Sequence, residues 1–197
     1  ILDTGHPDLC GFEALDGVQK TLRIPWSNIE VFLSHFHDDH DGNLLYCVQK
    51  GASKLYSGPT QIDSRTLIDN FLVLSSSVDL KSDSASSFIR LVAAGKKAQT
   101  CTQGSRIELH GGETLSIAGY HFDVLLTPGH TSNHLCLLDK SKKIFFAGDH
   151  ICDAPPGCMQ YAINDHLVAR YLESLAQLKE LNLQAVYMCH HNPLRGS

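Results

Sequence analysis

Four candidate metal ligands fall within six residues, directly after a short apolar run, and no other feature restricts this chain as strongly. Ile29-Glu30-Val31-Phe32-Leu33 reads as a buried strand, and Ser34-His35-Phe36-His37-Asp38-Asp39-His40-Asp41-Gly42 follows it without a break. His35 and His37, at i and i+2, can face the same way at a strand end. The next turn then returns Asp39 and His40. Imidazole nitrogen and carboxylate oxygen are donors that borderline cations such as zinc, iron and manganese accept. Asp38 reads instead as a helix-start carboxylate, favoured by the free N–H groups and the helix dipole.

Three later segments share one design. Thr127-Pro128-Gly129-His130-Thr131 follows an apolar strand, and Gly129 frees the backbone for a tight turn that projects one imidazole. Phe145-Phe146-Ala147-Gly148-Asp149 places a carboxylate just past another buried run, and Cys189-His190-His191 closes the last strand. In each, a strand runs out into a loop with a potential ligand at its C-terminal end. That is where α/β scaffolds present functional groups.

The remaining pattern is that of one α/β or α+β domain over residues 1–197. Strands are expected at 54–56, 106–109, 114–117, 120–127, 134–138, 143–147 and 185–189, with helices at 41–50 and 165–181. The second helix carries a stripe of Leu167, Val168, Tyr171, Leu172, Leu175, Leu178 and Leu181. Residues 57–105 read as a helical and serine-rich insertion, a solvated loop and a lid being equally open readings. A net charge of −5 argues against nucleic acid as a partner. No apolar run approaches the roughly 18–20 residues that span a bilayer, so no membrane partner is expected. Seven cysteines without a CxxC pair suit reduced thiols in a cytoplasmic protein. None of them, and no serine, has the setting of an activated nucleophile. The sequence carries no signal for oligomeric state.

The series HFHDDHDG, TPGHT, FAGD and a terminal histidine after a strand resembles the metallo-β-lactamase-fold metallo-hydrolase superfamily, in the manner of its hydroxyacylglutathione hydrolase-like members. Leu2-Asp3-Thr4-Gly5 is similar to the ending of that family's N-terminal strand, and the resemblance covers nearly the whole chain. It implies an α+β fold, a four-layer αβ/βα sandwich of two mixed sheets with helices outside. It implies two divalent metal ions, zinc foremost with iron or manganese open. His35, His37 and His130 would hold one; Asp39, His40 and His190 the other; Asp149 would bridge them. Asp39 and Asp149 are the expected catalytic residues, with Asp3, Thr131, His134, His150 and His191 behind the ligands or toward substrate. Where the family has Gly-His-Gly around its last ligand, this chain has Cys189-His190-His191, so His191 competes with His190. The family also extends beyond the segments seen here, and truncation at both ends is an expectation.

The resemblance implies a hydrolase that activates water at a dinuclear site, acting on a small-molecule thioester, lactone or other ester. A phosphodiesterase or RNA-processing nuclease and an iron-dependent sulfur dioxygenase are the enzymatic alternatives. An inactive metal-binding interaction domain is the non-enzymatic one. Asp149 at the bridging position disfavours a true β-lactamase, which resembles the pattern with Cys or Ser there.

Overall fold

A computed structural model describes residues 1–6, 11–59, 106–152 and 165–196, without the side chains of Asp38, Asp165 and His166. Of the insertion expected at 57–105, residues 60–105 lie outside the described residues, and Ser57 belongs to the strand before it. Those residues fall into two compact units, one built from residues 1–56 and 106–107, the other from 57–59 and from 108 onward. Among them no helix is long and apolar enough to cross a membrane.

The first unit begins with helix α1 (Gly11–Leu22) and a 3-10 turn (Trp26–Asn28), then strand β1 (Glu30–Phe32). Helices α2 (Asp38–Asp41) and α3 (Leu44–Gln49) lead to β2 (Lys54–Ser57), and β3 (Arg106–Glu108) completes a sheet ordered β1-β2-β3. β1 and β2 are parallel, and the helices between them supply the crossover that a parallel pair needs. Residues 1–3 run beside β1, with Leu2 bridged in parallel to Phe32. Val31, Leu33, Phe36, Leu44, Cys47 and Leu55 form the core, so the strand that delivers the histidine turn is anchored from beneath. Each such fully buried aliphatic side chain contributes about 1.5–3 kcal/mol by leaving water.

Two features depart from expectation here. The single helix expected at 41–50 is broken at Gly42-Asn43. The buried Asn43 is drawn out of helical pairing, because its N–H donates to Thr4 Oγ1 at 3.2 Å and its Nδ2 to the Thr4 and Gly5 carbonyls at 2.9 and 3.2 Å. Helix α1 was not expected at all, and it buries no residue completely.

The second unit continues with β4 (Thr114–Ile117), β5 (Tyr120–Leu126), β6 (Leu135–Asp139), β7 (Ile144–Gly148), helix α4 (Asp165–Lys179), β8 (Ala185–Met188) and β9 (Leu194–Arg195). The sheet order is β4-β5-β6-β7-β8-β9, antiparallel except for the β7–β8 pair. β6 is buried at every position, which explains why it reads as an unbroken apolar run rather than an alternating one. Cys136, Leu138, Phe145, Ala147, Leu178 and Met188 form the core under α4.

Helix α4 meets the sheet by a face slightly different from the expected stripe. Leu172 is 60% exposed, and Ser174 is buried in its stead. Ser174 Oγ lies 3.2 Å from the Pro128 carbonyl and 2.8 Å from its own helix at Arg170 O. Tyr171 packs directly under the Pro128-Gly129 turn. A Cβ added at Gly129 would stand 2.7 Å from both Cβ and Cγ of Tyr171, closer than real carbon atoms approach. Gly129→Ala should therefore cost about 1–3 kcal/mol through overpacking, read as a lower denaturation midpoint. A variant as stable as the parent would show that this turn is not seated on Tyr171.

Candidate metal centre

The strand β1 ends at Phe32, and the chain turns through Ser34 to His37, whose carbonyl accepts the N–H groups of His40 and Asp41 at 2.9 and 2.8 Å. This turn of helix brings three imidazoles together. The rings of His35 and His37 are 4.5 Å apart, and those of His35 and His40 4.1 Å apart. His35 Nε2 and His37 Nδ1 lie 2.9 Å apart, and His40 Nε2 lies 3.6 Å from Asp39 Oδ2. His35 and His40 are each 1% exposed.

Asp3 stands behind them. Its backbone adopts φ 53°, a left-handed conformation that Asp tolerates better than most residues. Its carboxylate accepts the Ser34 N–H and hydroxyl, both at 2.8 Å, and approaches His40 Nδ1 at 3.0 Å. Thr4 completes the grip, its N–H and hydroxyl both donating to the His40 carbonyl. His40 is thus held at its backbone by one residue and at its ring by the preceding one. With Nδ1–H donated to a carboxylate, Nε2 keeps its lone pair for a ligand role.

In the second unit the ligand set is built around Asp149. β7 ends at Gly148, whose φ of 52° suits glycine, and delivers Asp149 nearly buried. Asp149 Oδ2 lies 3.6 Å from His130 Nε2 and 3.3 Å from His190 Nε2. β8 pairs with β7 at Met188–Gly148, and the Cys189 N–H donates to the Gly148 carbonyl, which brings the following His190 beside Asp149. His191 follows it, half-buried.

His134 fixes the position of Asp149 from behind. The Asp149 N–H donates to His134 Nε2 at 3.2 Å, so in the neutral ring the proton sits on Nδ1, 3.0 Å from Thr127 Oγ1. Thr127 thereby ties the strand that leads to His130 to the residue that positions Asp149. The Gly129 N–H donates to the Thr131 carbonyl at 3.0 Å, which closes the turn carrying His130.

His150 is fully buried, and among the described residues neither of its ring nitrogens has a hydrogen-bond partner. Burial, and secondarily the nearby His130, push its pKa down to about 4, so the ring is neutral at pH 7. Its ring meets that of Tyr171 edge-on at 5.0 Å, and the Tyr171 hydroxyl donates to the His150 carbonyl at 3.0 Å.

These spacings suit a cation. Ligands at 2.0–2.1 Å in a tetrahedral shell lie roughly 3.4 Å from one another, close to the separations around Asp149 and between Asp39 and His40. The donors are imidazole nitrogen and carboxylate oxygen, a set that accepts divalent metal ions. Ser34, Thr127 and Asn43 are the supporting residues that the sequence pattern did not single out. Their signal is faint: a hydroxyl directly before the first histidine, another opening the TPGHT turn, and an amide beside a helix break.

The family model for the metallo-beta-lactamase superfamily matches residues 2–190. Among solved structures, a metallo-beta-lactamase family protein from Thermus thermophilus aligns with a TM-score of 0.77 at 20% identity, over 98% of this chain and 65% of that one. A beta-lactamase domain protein from Burkholderia ambifaria aligns with a TM-score of 0.72 at 18% identity, over 99% of this chain and 59% of that one. This chain therefore spans less than two thirds of the length of either. A third protein, solved in a di-iron-bound form, aligns with a TM-score of 0.62 at 19% identity, over 98% and 82%. These likenesses show the fold, of the α+β class expected, and with the match over nearly its whole length the chain belongs to the metallo-beta-lactamase superfamily.

Proposed function

We propose that this protein is a metal-dependent hydrolase that uses two divalent cations to activate water, on a thioester, lactone or other ester of a small molecule. The observation that carries the reading is the convergence of His130 Nε2 and His190 Nε2 on one oxygen of Asp149. In the family's motif order these histidines belong to different ions, so Asp149 has the neighbours expected of a bridging carboxylate. By the same order, His35, His37 and His130 hold one ion, and Asp39, His40 and His190 the other. Zinc is the proposed metal. Iron is the second reading, favoured by the di-iron form of one structural neighbour, and with it a dioxygenase reaction becomes the alternative chemistry.

When bound, such ions supply Lewis acidity that makes hydroxide available near neutral pH and stabilises the negative charge developing on the attacked group. The chain's own residues do the rest. The backbone of Asp149 is anchored by its N–H, which donates to His134. Asp39 is the more exposed carboxylate, at 35% of its side chain, and can move a proton through its second oxygen while it binds. His150, neutral and buried, adds no positive charge beside Asp149.

Two measurements test this. Elemental analysis of protein expressed without added metal should find about two transition-metal ions per chain, and turnover should appear on thioesters or lactones but not on phosphodiesters. Phosphodiester cleavage would replace the substrate class, and two bound ions with no turnover on any panel would favour a binding role. Asp149→Ala should release one or both ions and reduce turnover to background. An unchanged metal content would overturn the bridging assignment.

A further inference from the structure

The hydrogen bonds behind the first histidine cluster converge on a single oxygen. Asp3 Oδ2 accepts the Ser34 hydroxyl at 2.8 Å and lies 3.0 Å from His40 Nδ1. Ser34 Oγ in turn lies 2.9 Å from His35 Nδ1. A serine hydroxyl has one proton, and a carboxylate can only accept, so that proton is committed to Asp3. The remaining lone pairs of Ser34 Oγ can only receive, so His35 Nδ1 carries the proton and donates it. The same reasoning puts a proton on His40 Nδ1. Both imidazoles are left with their lone pair on Nε2.

We propose that Ser34 is a positioning residue, which extends the reach of Asp3 so that one carboxylate orients His40 directly and His35 through the serine hydroxyl. The proposal rests on the assignment of His35 and His40 to different ions. On that assignment a single carboxylate sets the metal-facing nitrogen of a ligand in each site. The device is rigid. Ser34 is 3% exposed, its N–H is fixed on Asp3 Oδ1 at 2.8 Å, and Asp3 N–H is bonded to the Phe32 carbonyl at 2.9 Å. The Asp3 backbone that carries this carboxylate is left-handed, at φ 53°.

The relay makes the two sites unequal in their dependence on Ser34. Ser34→Ala removes the partner of His35 Nδ1 and leaves the Asp3–His40 contact in place. Asp3→Asn, which keeps a side chain that tolerates left-handed backbone, disturbs both histidines. Outer-shell partners of ligating histidines typically change metal affinity by about 10–100-fold.

The test has one arm without metal and one with it. In the metal-free protein, long-range nitrogen–proton NMR spectra should find the proton on Nδ1 of both His35 and His40. Ser34→Ala should lose that preference at His35 alone, and Ser34→Thr, which retains the hydroxyl, should restore it. A wild-type His35 protonated on Nε2 would overturn the relay, whatever the metal content proves to be. In the second arm, cobalt(II) is titrated against a competing chelator and followed by its visible absorption. Ser34→Ala should weaken one ion by about 10–100-fold and leave the other within about threefold, whereas Asp3→Asn should weaken both. Equal weakening of both ions by Ser34→Ala, or of neither, overturns the proposal while the metal assignment stands. Wild-type protein that takes up no cobalt overturns the metal assignment, and the nitrogen spectra still decide the relay.

Discussion

A neutral imidazole can lend a lone pair to a cation from one nitrogen only if its proton is parked on the other. In water the proton is shared between the two positions, and burial removes the solvent that would accept it. A buried cluster of histidines is therefore only as useful as the acceptors placed behind it. In this chain that requirement shapes the segment Leu2-Asp3-Thr4-Gly5, which looks in sequence like the end of a strand and acts in structure as the back wall of the first cluster. Asp3 accepts hydrogen bonds from the Ser34 N–H and hydroxyl and from His40, Thr4 fixes the His40 carbonyl, and Asn43 locks Thr4 and Gly5 in place. The helix break at Gly42-Asn43 is the consequence, since Asn43 cannot serve both the loop and an uninterrupted helix.

The second unit meets the same requirement with neutral groups. Asp149 is held by its backbone rather than its carboxylate, through His134, whose far nitrogen faces Thr127. Helix α4 supports the His130 turn from below through Ser174 and Tyr171, and Tyr171 also binds the His150 carbonyl. One helix thus steadies both the turn before β6 and the loop after β7. This explains why its inward face admits a serine among leucines, where packing alone would favour another apolar residue.

Much of this was legible in the sequence because ligands and strands signal independently. Apolar runs located β1 to β8 to within a residue or two, and β6 and β7 shift by one residue only, whereas the two-residue β9 was not expected. Candidate ligands stood out because histidine and aspartate are costly at the ends of buried strands unless something offsets them. What was hidden falls into two kinds. Helix α1 buries no residue completely, and Gly11 and Gly17 lower its helix propensity. Ser34 and Asn43 act through hydrogen bonds to residues far away in the chain, such as Asp3, 31 positions from Ser34, and Thr127 through its contact with His134. Pattern along a chain does not encode such pairings. The Leu172 assignment missed for a simpler reason, as Leu172 sits one residue round from Tyr171, and Ser174 takes the inward place.

The two styles of support have an electrostatic consequence. Under the proposed ligand assignment, Asp39 and Asp149 bring negative charge to the ions directly, and Asp3 brings it one step behind through hydrogen bonds to His40 and Ser34. Against two divalent cations these three carboxylates leave a net positive centre, because every other ligand is a neutral imidazole. His150 preserves that balance: pushed down to about 4 by burial, it stays uncharged beside Asp149 instead of adding repulsion toward the cations. A centre of this kind favours an electron-rich group such as a carbonyl oxygen and gains most as that oxygen acquires charge. The third carboxylate, placed behind the histidines rather than on a metal, acts instead by raising the basicity of the imidazoles that face the ions.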